Sequence, residues 1–508
     1  VELTPAFDDF ARAYAAGRNQ VVYARLAADL DTPVSLMLKL TGAARDAFML
    51  ESVTGGETRG RYSIIGLKPD LIWQCHGATS RINRMARFDP DAWEEQPGDP
   101  LVALRALIAD SRIDLPDDLP AASAGLFGYL GYDMIRLVEH LPDINPDPLG
   151  LPDATLIRPT VVAVLDGVKG DVTVVSPAWA SDGQSARAAY AQAVERVMDA
   201  LRDLDRALPQ ATREMGDAQD VGAPVSNFAK PDYLAAVEKA KDYIRAGDIF
   251  QVVPSQRWHQ PFTLPPFTLY RSLRRTNPSP FMFYFNFGDM QIVGASPEIL
   301  VRNESLPEGG KKVTLRPIAG TRPRGATPDA DKALEAELLA DPKECAEHLM
   351  LLDLGRNDVG KVARIGSVRP TEQFTIERYS HVMHIVSNVV GELAEDQDAL
   401  SAFFAGMPAG TVSGAPKVRA MEIIDELEPE KRGPYGGGVG YFSAGGDMDM
   451  CIALRTALVK DGQLYIQSGG GVVHDSDPEA EYQETVHKSG AIRRAAADAA
   501  RFTDGGNG

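Results

Sequence analysis

Cysteine is scarce in these 508 residues: Cys75, Cys345 and Cys451 are the whole supply, and no CxxC pair occurs. A disulfide framework and a four-ligand zinc site are thereby excluded, and a reducing cytoplasm is the expected setting. No uncharged apolar run reaches the roughly 18 residues that a membrane span needs. The opening VELTPAFDDFARAY carries acids where a secretory leader would carry Lys or Arg, so no export signal is expected. Positive charge is in deficit as well, with 52 Lys and Arg against 71 Asp and Glu and a formal net charge of -19. Nucleic acid and anionic membrane surfaces are therefore poor partners, and any anionic ligand must be held locally. What the chain does have is core material, at 44% hydrophobic and 24% charged. That is a globular composition, enough for about three ordinary domains or fewer interlocked ones.

The polar, small-residue stretch 207–230 (ALPQATREMGDAQDVGAPVSNFAK) is the clearest seam, and it divides residues 1–225 from 226–508. Before it, 160–167 and 171–177 are β-branched runs around a short Gly-containing turn, a hairpin pattern. Residues 183–206 then place Tyr190, Val194, Val197, Leu201 and Leu204 on one helical face. After the seam, Leu234, Val237 and Ile244 mark a helix that ends at Gly247. A strand is expected over 249–258, a hairpin over 281–286 and 291–296, and further strands at 439–444, 450–459 and 463–469. Strands and helices do not alternate in a βαβ rhythm, so the reading is α+β with antiparallel pairing.

Two acidic pairs stand out. Glu344 and Glu347 are three apart in a helical context, Glu481 and Glu484 repeat that spacing, and Lys488 lies one turn further on. Each pair alone reads equally well as a solvated helix face; together the four carboxylates would make an oxygen-rich magnesium site. The glycine runs at 434–442 and 467–471 could bring backbone N–H groups to an anion or simply form tight turns. Neither fits GxGxxG in a βαβ unit, and GTVSGAPK at 410–417 fails the Walker A spacing. Arg455, apparently mid-strand in an apolar pattern, needs an anionic partner if buried. His384 could equally be a hydrogen-bonded core histidine, and Glu298 a turn carboxylate.

Taken together and in order, the strings resemble the chorismate-utilising enzymes, and among them the anthranilate synthase large-subunit family. The resemblance rests on QVVPSQR (251–257), NPSPFMFYF (277–285), GASPE (294–298), PIAGTRPRG (317–325), KECAEHLMLLDLGRND (343–358), YSHVMH (379–384), GTVSGAPK, YGGGVGYF (435–442), CIALRTAL (451–458), QSGGGVV (467–473) and EYQET (481–485), with MLES at 49–52. It implies a core sandwich of antiparallel sheets with helices outside, both halves contributing. The activity it implies is conversion of chorismate and ammonia to anthranilate and pyruvate with magnesium.

Under that resemblance Glu347 and Glu484 match metal ligands, with Glu344 and Glu481 as their outer companions. Gly320, Thr321, Tyr435, Arg455, Gly469, Gly470 and Gly471 match chorismate contacts, Arg455 pairing the enolpyruvyl carboxylate. Glu298 matches the general acid for the departing hydroxyl, His384 a histidine tied to pyruvate loss, and Gln251 and Thr411 complete the catalytic set. Relatives that add water carry a basic Lys where Gln251 stands, and aminodeoxychorismate synthases carry a nucleophilic Lys where this sequence has Ala319.

None of the three cysteines sits in a glutaminase elbow, so the use of glutamine implies a separate amidotransferase subunit, component II. Residues matching a feedback pocket for L-tryptophan are Glu51 and Ser52 from the N-terminal region, then Pro280, Phe281, Met282 and Cys451. Met49 and Phe281 depart from the usual Leu and Tyr. Glu51 is the expected acceptor for the ligand's ammonium.

Overall fold

Alternation of period two builds the centre of the molecule. The computed structural model describes residues 1–42, 44–52, 60–181, 183–208, 222–379 and 382–502. Along Phe281–Asn286, Phe283 and Phe285 enter one apolar cluster with Phe48, Phe127, Tyr129, Val162 and Val164. Met282 and Tyr284 face the other way, into a cluster that contains helix residues Leu36, Val197, Leu273 and Ile492. A third cluster joins Leu126, Leu130, Met448 and Ile452 to Leu352, Phe403 and Met421. The result is helix, sheet, sheet, helix, with the aromatic cluster as the filling. Each fully buried Phe there contributes roughly 1.5–3 kcal/mol of burial energy.

Among the described residues, 22 strands join one hydrogen-bonded network and two more form a small separate sheet. The two halves are interleaved. Ala47–Glu51 pairs antiparallel with Phe281–Asn286, and Gly125–Leu130 pairs with Gly438–Ser443. Residues 209–221 of the seam lie outside the described residues; beyond them Val225–Ser226 pairs with Trp258 and His259, and the helix Lys230–Arg245 follows.

Two expected strands are broken, each for a visible reason. The run 249–258 divides into Gln251–Val252, which pairs with Gly414–Ala415, and Ser255–Pro261, which pairs with Gln463–Gly469. Pro254 has no N–H for a ladder and sits at the division. The run 450–459 divides into Met448–Ile452 and Thr456–Lys460. Arg455 is thus not mid-strand: it occupies the crossing between two strands with φ +48°.

No helix among the described residues is long and apolar enough to cross a membrane, and the three cysteines are free.

Candidate active site

Two capped helices bring the carboxylates together. Pro342–Gly360 starts at Asp341, whose carboxylate accepts from the Lys343 and Glu344 N–H groups at 3.0 and 3.2 Å. Pro478–Asp498 starts at Asp477, which accepts from the Ala480 N–H at 2.9 Å. These caps fix the first turns, and the i, i+3 spacing turns Glu344, Glu347, Glu481 and Glu484 into one cavity of about 500 Å³. Burial pushes the Glu347 carboxyl up, and the neighbouring Glu344 charge adds to it. Burial also raises Glu481, with Glu484 adding, and one Glu481 oxygen, Oε2, is buried without a partner. Among the described residues no three such side chains converge into a metal cluster on their own. The four acids nevertheless fit a hard divalent cation, because magnesium takes one or two carboxylates and leaves its other positions to water and substrate.

On the other wall, Glu298 lies between the strands Met290–Ser296 and Ile299–Ser305. Its carboxyl is buried, with the Thr411 hydroxyl 3.2 Å from both oxygens. Burial lifts it to about 8, outweighing the opposing pull of Thr411 and Arg455. A carboxyl in that state is a proton donor at neutral pH.

His384 comes from Val382–Glu392, which pairs with Ile318–Pro323 across a register shift between Ala319 and Thr321. Gly320 makes that shift with φ +71°, a conformation that a side chain would strain. The shift places its carbonyl 2.9 Å from His384 Nδ1, with Thr321 Oγ1 at 3.1 Å. The Nδ1–H therefore donates to Gly320, and Nε2 keeps its lone pair. Burial holds the ring below the usual histidine range, with Arg455 adding to the effect, so it is a neutral base.

Tyr435, Arg455, Gly469 and Gly471 line the same cavity, as do Gln251, Thr411, Gly320 and Thr321. Gly470 stands beside it: a Cβ there would lie 3.4 Å from Glu481 Oε2. A Cβ on Gly469 would lie 3.0 Å from the Tyr435 hydroxyl, and one on Gly471 2.6 Å from Gln251 Nε2. The glycine run is therefore a close approach of backbone to the cavity. Gln251 Nε2 donates to Glu347 Oε1 at 3.4 Å. Lys488 pairs with Glu484 at 2.5 Å and donates to the Gly469 carbonyl at 3.0 Å, tying the acidic helix to that run. Lys343 and Gln467 also line the cavity; each opens a string of the resemblance, KECAEHLMLLDLGRND and QSGGGVV, but the acidic pair and the glycines are the stronger signals there.

A second cavity of about 470 Å³ holds all six residues of the expected feedback pocket. Two of them lie toward the helices that cover the sheet. Glu51 and Met282 are cross-strand partners on the helix-facing side of their sheet. The Glu51 carboxylate is buried in an ion pair with Arg274 of the helix Pro266–Thr276, so a ligand's ammonium would compete there with Arg274. Asp449 also lines this cavity and pairs with Arg302 at 2.9 Å, and its Oδ1 is buried without a partner among the described residues. Pro297 and Ile318 line both cavities.

Residues 61–494 match the chorismate binding enzyme family. An anthranilate synthase component 1 from Cereibacter sphaeroides is 75% identical over 504 residues, covering 99% of this chain and 100% of that relative. Another from Pseudomonas putida is 47% identical over 500 residues, covering 96% and 98%. The crystal structure of anthranilate synthase component I from Streptococcus pneumoniae TIGR4 superposes with a TM-score of 0.75 at 36% identity, covering 92% of this chain and 99% of that one. A menaquinone-specific isochorismate synthase from Escherichia coli shares the fold at 19% identity, with a TM-score of 0.67 and coverage of 97% and 99%. The chain belongs to the chorismate-binding enzymes and, within them, to the anthranilate synthase component 1 group.

Proposed function

We propose that the chain is an anthranilate synthase large subunit that converts chorismate and ammonia to anthranilate, pyruvate and water. The observation that carries this reading is a buried Glu298, its carboxyl lifted by burial to about 8, in one cavity with four carboxylates, Arg455 and the neutral amide of Gln251. Ammonia needs no base to become a nucleophile, whereas water does, and an amide cannot supply one. Ala319 in the cavity wall has no nucleophile, which speaks against the aminodeoxychorismate reaction.

Glu347 and Glu484 would hold magnesium, with Glu344 and Glu481 behind them. When bound, the ion supplies positive charge for the substrate's ring carboxylate. Arg455 holds the enolpyruvyl carboxylate, and the glycine run offers backbone donors. Glu298 gives its proton to the departing hydroxyl, which leaves as water while ammonia bonds to the ring. His384, neutral and held at Nδ1 by Gly320, acts in the later elimination of pyruvate. Glutamine would be used through a separate amidotransferase subunit in the cytoplasm, and L-tryptophan would act at the second cavity.

The direct test follows anthranilate fluorescence with chorismate, ammonium and magnesium. Product is expected without any partner, whereas glutamine should support turnover only after the amidotransferase is added. No anthranilate from ammonium would refute the assignment.

Two finer outcomes follow from the geometry. Because the acid form of Glu298 is lost as pH rises through about 8, kcat/KM at constant free ammonia should show an alkaline limb near that value. Glu298→Gln should lower kcat by roughly 10² to 10⁴-fold; a flat profile up to pH 9.5 would exclude the role. His384→Met should let the aminated, pyruvate-bearing intermediate accumulate while anthranilate falls by about 10²-fold. Chromatography showing only unreacted chorismate would place His384 earlier in the reaction.

A further inference from the structure

The loop that follows the helix Lys417–Leu427 contains an ion pair hidden from water. The side chains of Arg432 and Glu428 are 2% and 3% exposed. Arg432 Nε donates to both Glu428 oxygens at 3.1 and 3.0 Å, and Nη2 donates to Oε1 at 2.6 Å. The remaining donors reach backbone: Nη1 to the Val412 carbonyl at 2.6 Å and Nη2 to the Val253 carbonyl at 2.8 Å. The guanidinium also lies 4.6 Å from the Tyr132 ring centre and 5.3 Å from that of Tyr435. Glu428 Oε1 accepts from the Ser255 N–H and hydroxyl at 2.8 and 2.7 Å. Ser255 Oγ in turn accepts from Gln467 Nε2 at 2.8 Å, and Ser255 pairs with Gly469 across the strands.

Apart from that of Tyr132, every segment this pair touches carries a wall residue of the 500 Å³ cavity. Val412 follows Thr411, the partner of Glu298; Val253 lies two residues after Gln251; Tyr435, Gln467 and Gly469 line the cavity themselves. These segments come from distant parts of the chain, and no continuous sheet or helix joins all of them. A fork of five fixed donors can hold two backbone carbonyls and a carboxylate at once, which the point charge of a lysine cannot.

We propose that Arg432, held by Glu428, is a positioning residue for the amination step: it sets Thr411 against Glu298 and the Tyr435 ring against the substrate, without touching the substrate itself. The proposal rests on the anthranilate synthase reading and adds to it a determinant of rate outside the cavity lining. The pair is internally neutral, so its contribution is registration rather than field. Misplacing reacting groups by about 1 Å costs on the order of 10²-fold in rate. Thr411 works against the upward push of burial on Glu298, so a slackened Thr411 should let the Glu298 carboxyl titrate higher.

The test separates registration from stability. An apolar pair of similar volume can replace a buried ion pair without loss of stability, whereas removing one partner strands a buried charge. The variant is therefore Glu428→Met with Arg432→Met, compared with Arg432→Lys, in the full chain with ammonium as the nitrogen source. The double variant should melt within a few degrees of wild type, lose about 10²-fold in kcat, and move its alkaline limb to higher pH. Arg432→Lys should move the limb in the same direction with a smaller loss, and it decides the matter if the double variant does not fold. Wild-type kcat in the double variant, or a loss that tracks the unfolded fraction with the limb unmoved, would overturn the proposal. An inactive wild type would instead overturn the reaction assignment, and the proposal with it.

Discussion

Exchanging Glu347 or Glu484 for glutamine should reduce anthranilate formation by about 10³-fold or more while the protein stays folded. The argument combines charge with burial. Glu347 sits where burial and Glu344 both disfavour its anion, a disfavoured state that a divalent cation would relieve and that glutamine abolishes. In the absence of magnesium the Glu347→Gln protein should therefore melt at the same temperature as wild type or roughly 1 to 2 °C higher. Magnesium should raise the melting temperature of wild type and not of the variant. In the proposed site Glu344→Gln and Glu481→Gln would remove supporting groups rather than ligands and should cost about 10 to 100-fold. Near-normal turnover in Glu347→Gln or Glu484→Gln with magnesium still strictly required would remove these residues from the metal site.

These four glutamates were legible in the sequence because i, i+3 spacing survives folding unchanged: whatever else a helix does, it keeps such pairs on one face. The hairpin at 281–286 and 291–296 was legible for a related reason, since its period-two alternation matches two different apolar clusters. Arg455 was not. It stands between Leu454 and the β-branched Thr456 in a run that is otherwise apolar, so 450–459 reads as continuous, and a single positive φ that lets it turn out of the ladder leaves no mark on composition. The break at Pro254 could have been anticipated, because proline inside a strand pattern is itself a warning. The ion pair of Glu51 was not legible either, because its partner, Arg274, is 223 residues away. The Glu428 and Arg432 pair escaped for the opposite reason: within ELEPEKRGP (426–434) it resembles an ordinary charged surface turn, and only tertiary packing buries it.

Saturating L-tryptophan should raise the apparent KM for chorismate by roughly 5 to 150-fold, the range of ordinary coupling energies. A cavity of about 470 Å³ with Phe281, Tyr441 and Tyr62 in its lining and Asp449 as an acceptor suits an aromatic amino acid. Its connection to the acid is short. Cys451 pairs with Ile299 on one side and Val439 on the other, and the next residue, Ile452, donates its N–H to the Glu298 carbonyl at 3.0 Å. Pro297, immediately before Glu298, is wall to both cavities. A ligand pressing on this strand and this proline would displace Glu298 and Arg455 together, and occupancy of one cavity would then oppose occupancy of the other. By linkage, chorismate must weaken tryptophan binding by the same factor, which calorimetry on the magnesium-loaded protein can read directly. Ser52→Phe puts a phenyl ring into the second cavity where a hydroxymethyl stood, and leaves the first cavity's walls alone. Its chorismate kinetics should stay within about threefold of wild type while tryptophan loses its effect. Asp449→Asn distinguishes the two candidate acceptors: weakened tryptophan binding with intact chorismate kinetics assigns the ammonium to Asp449, whereas unchanged binding returns it to Glu51 and requires Arg274 to move. Initial rates in wild type that ignore saturating tryptophan would show that the second cavity serves another ligand.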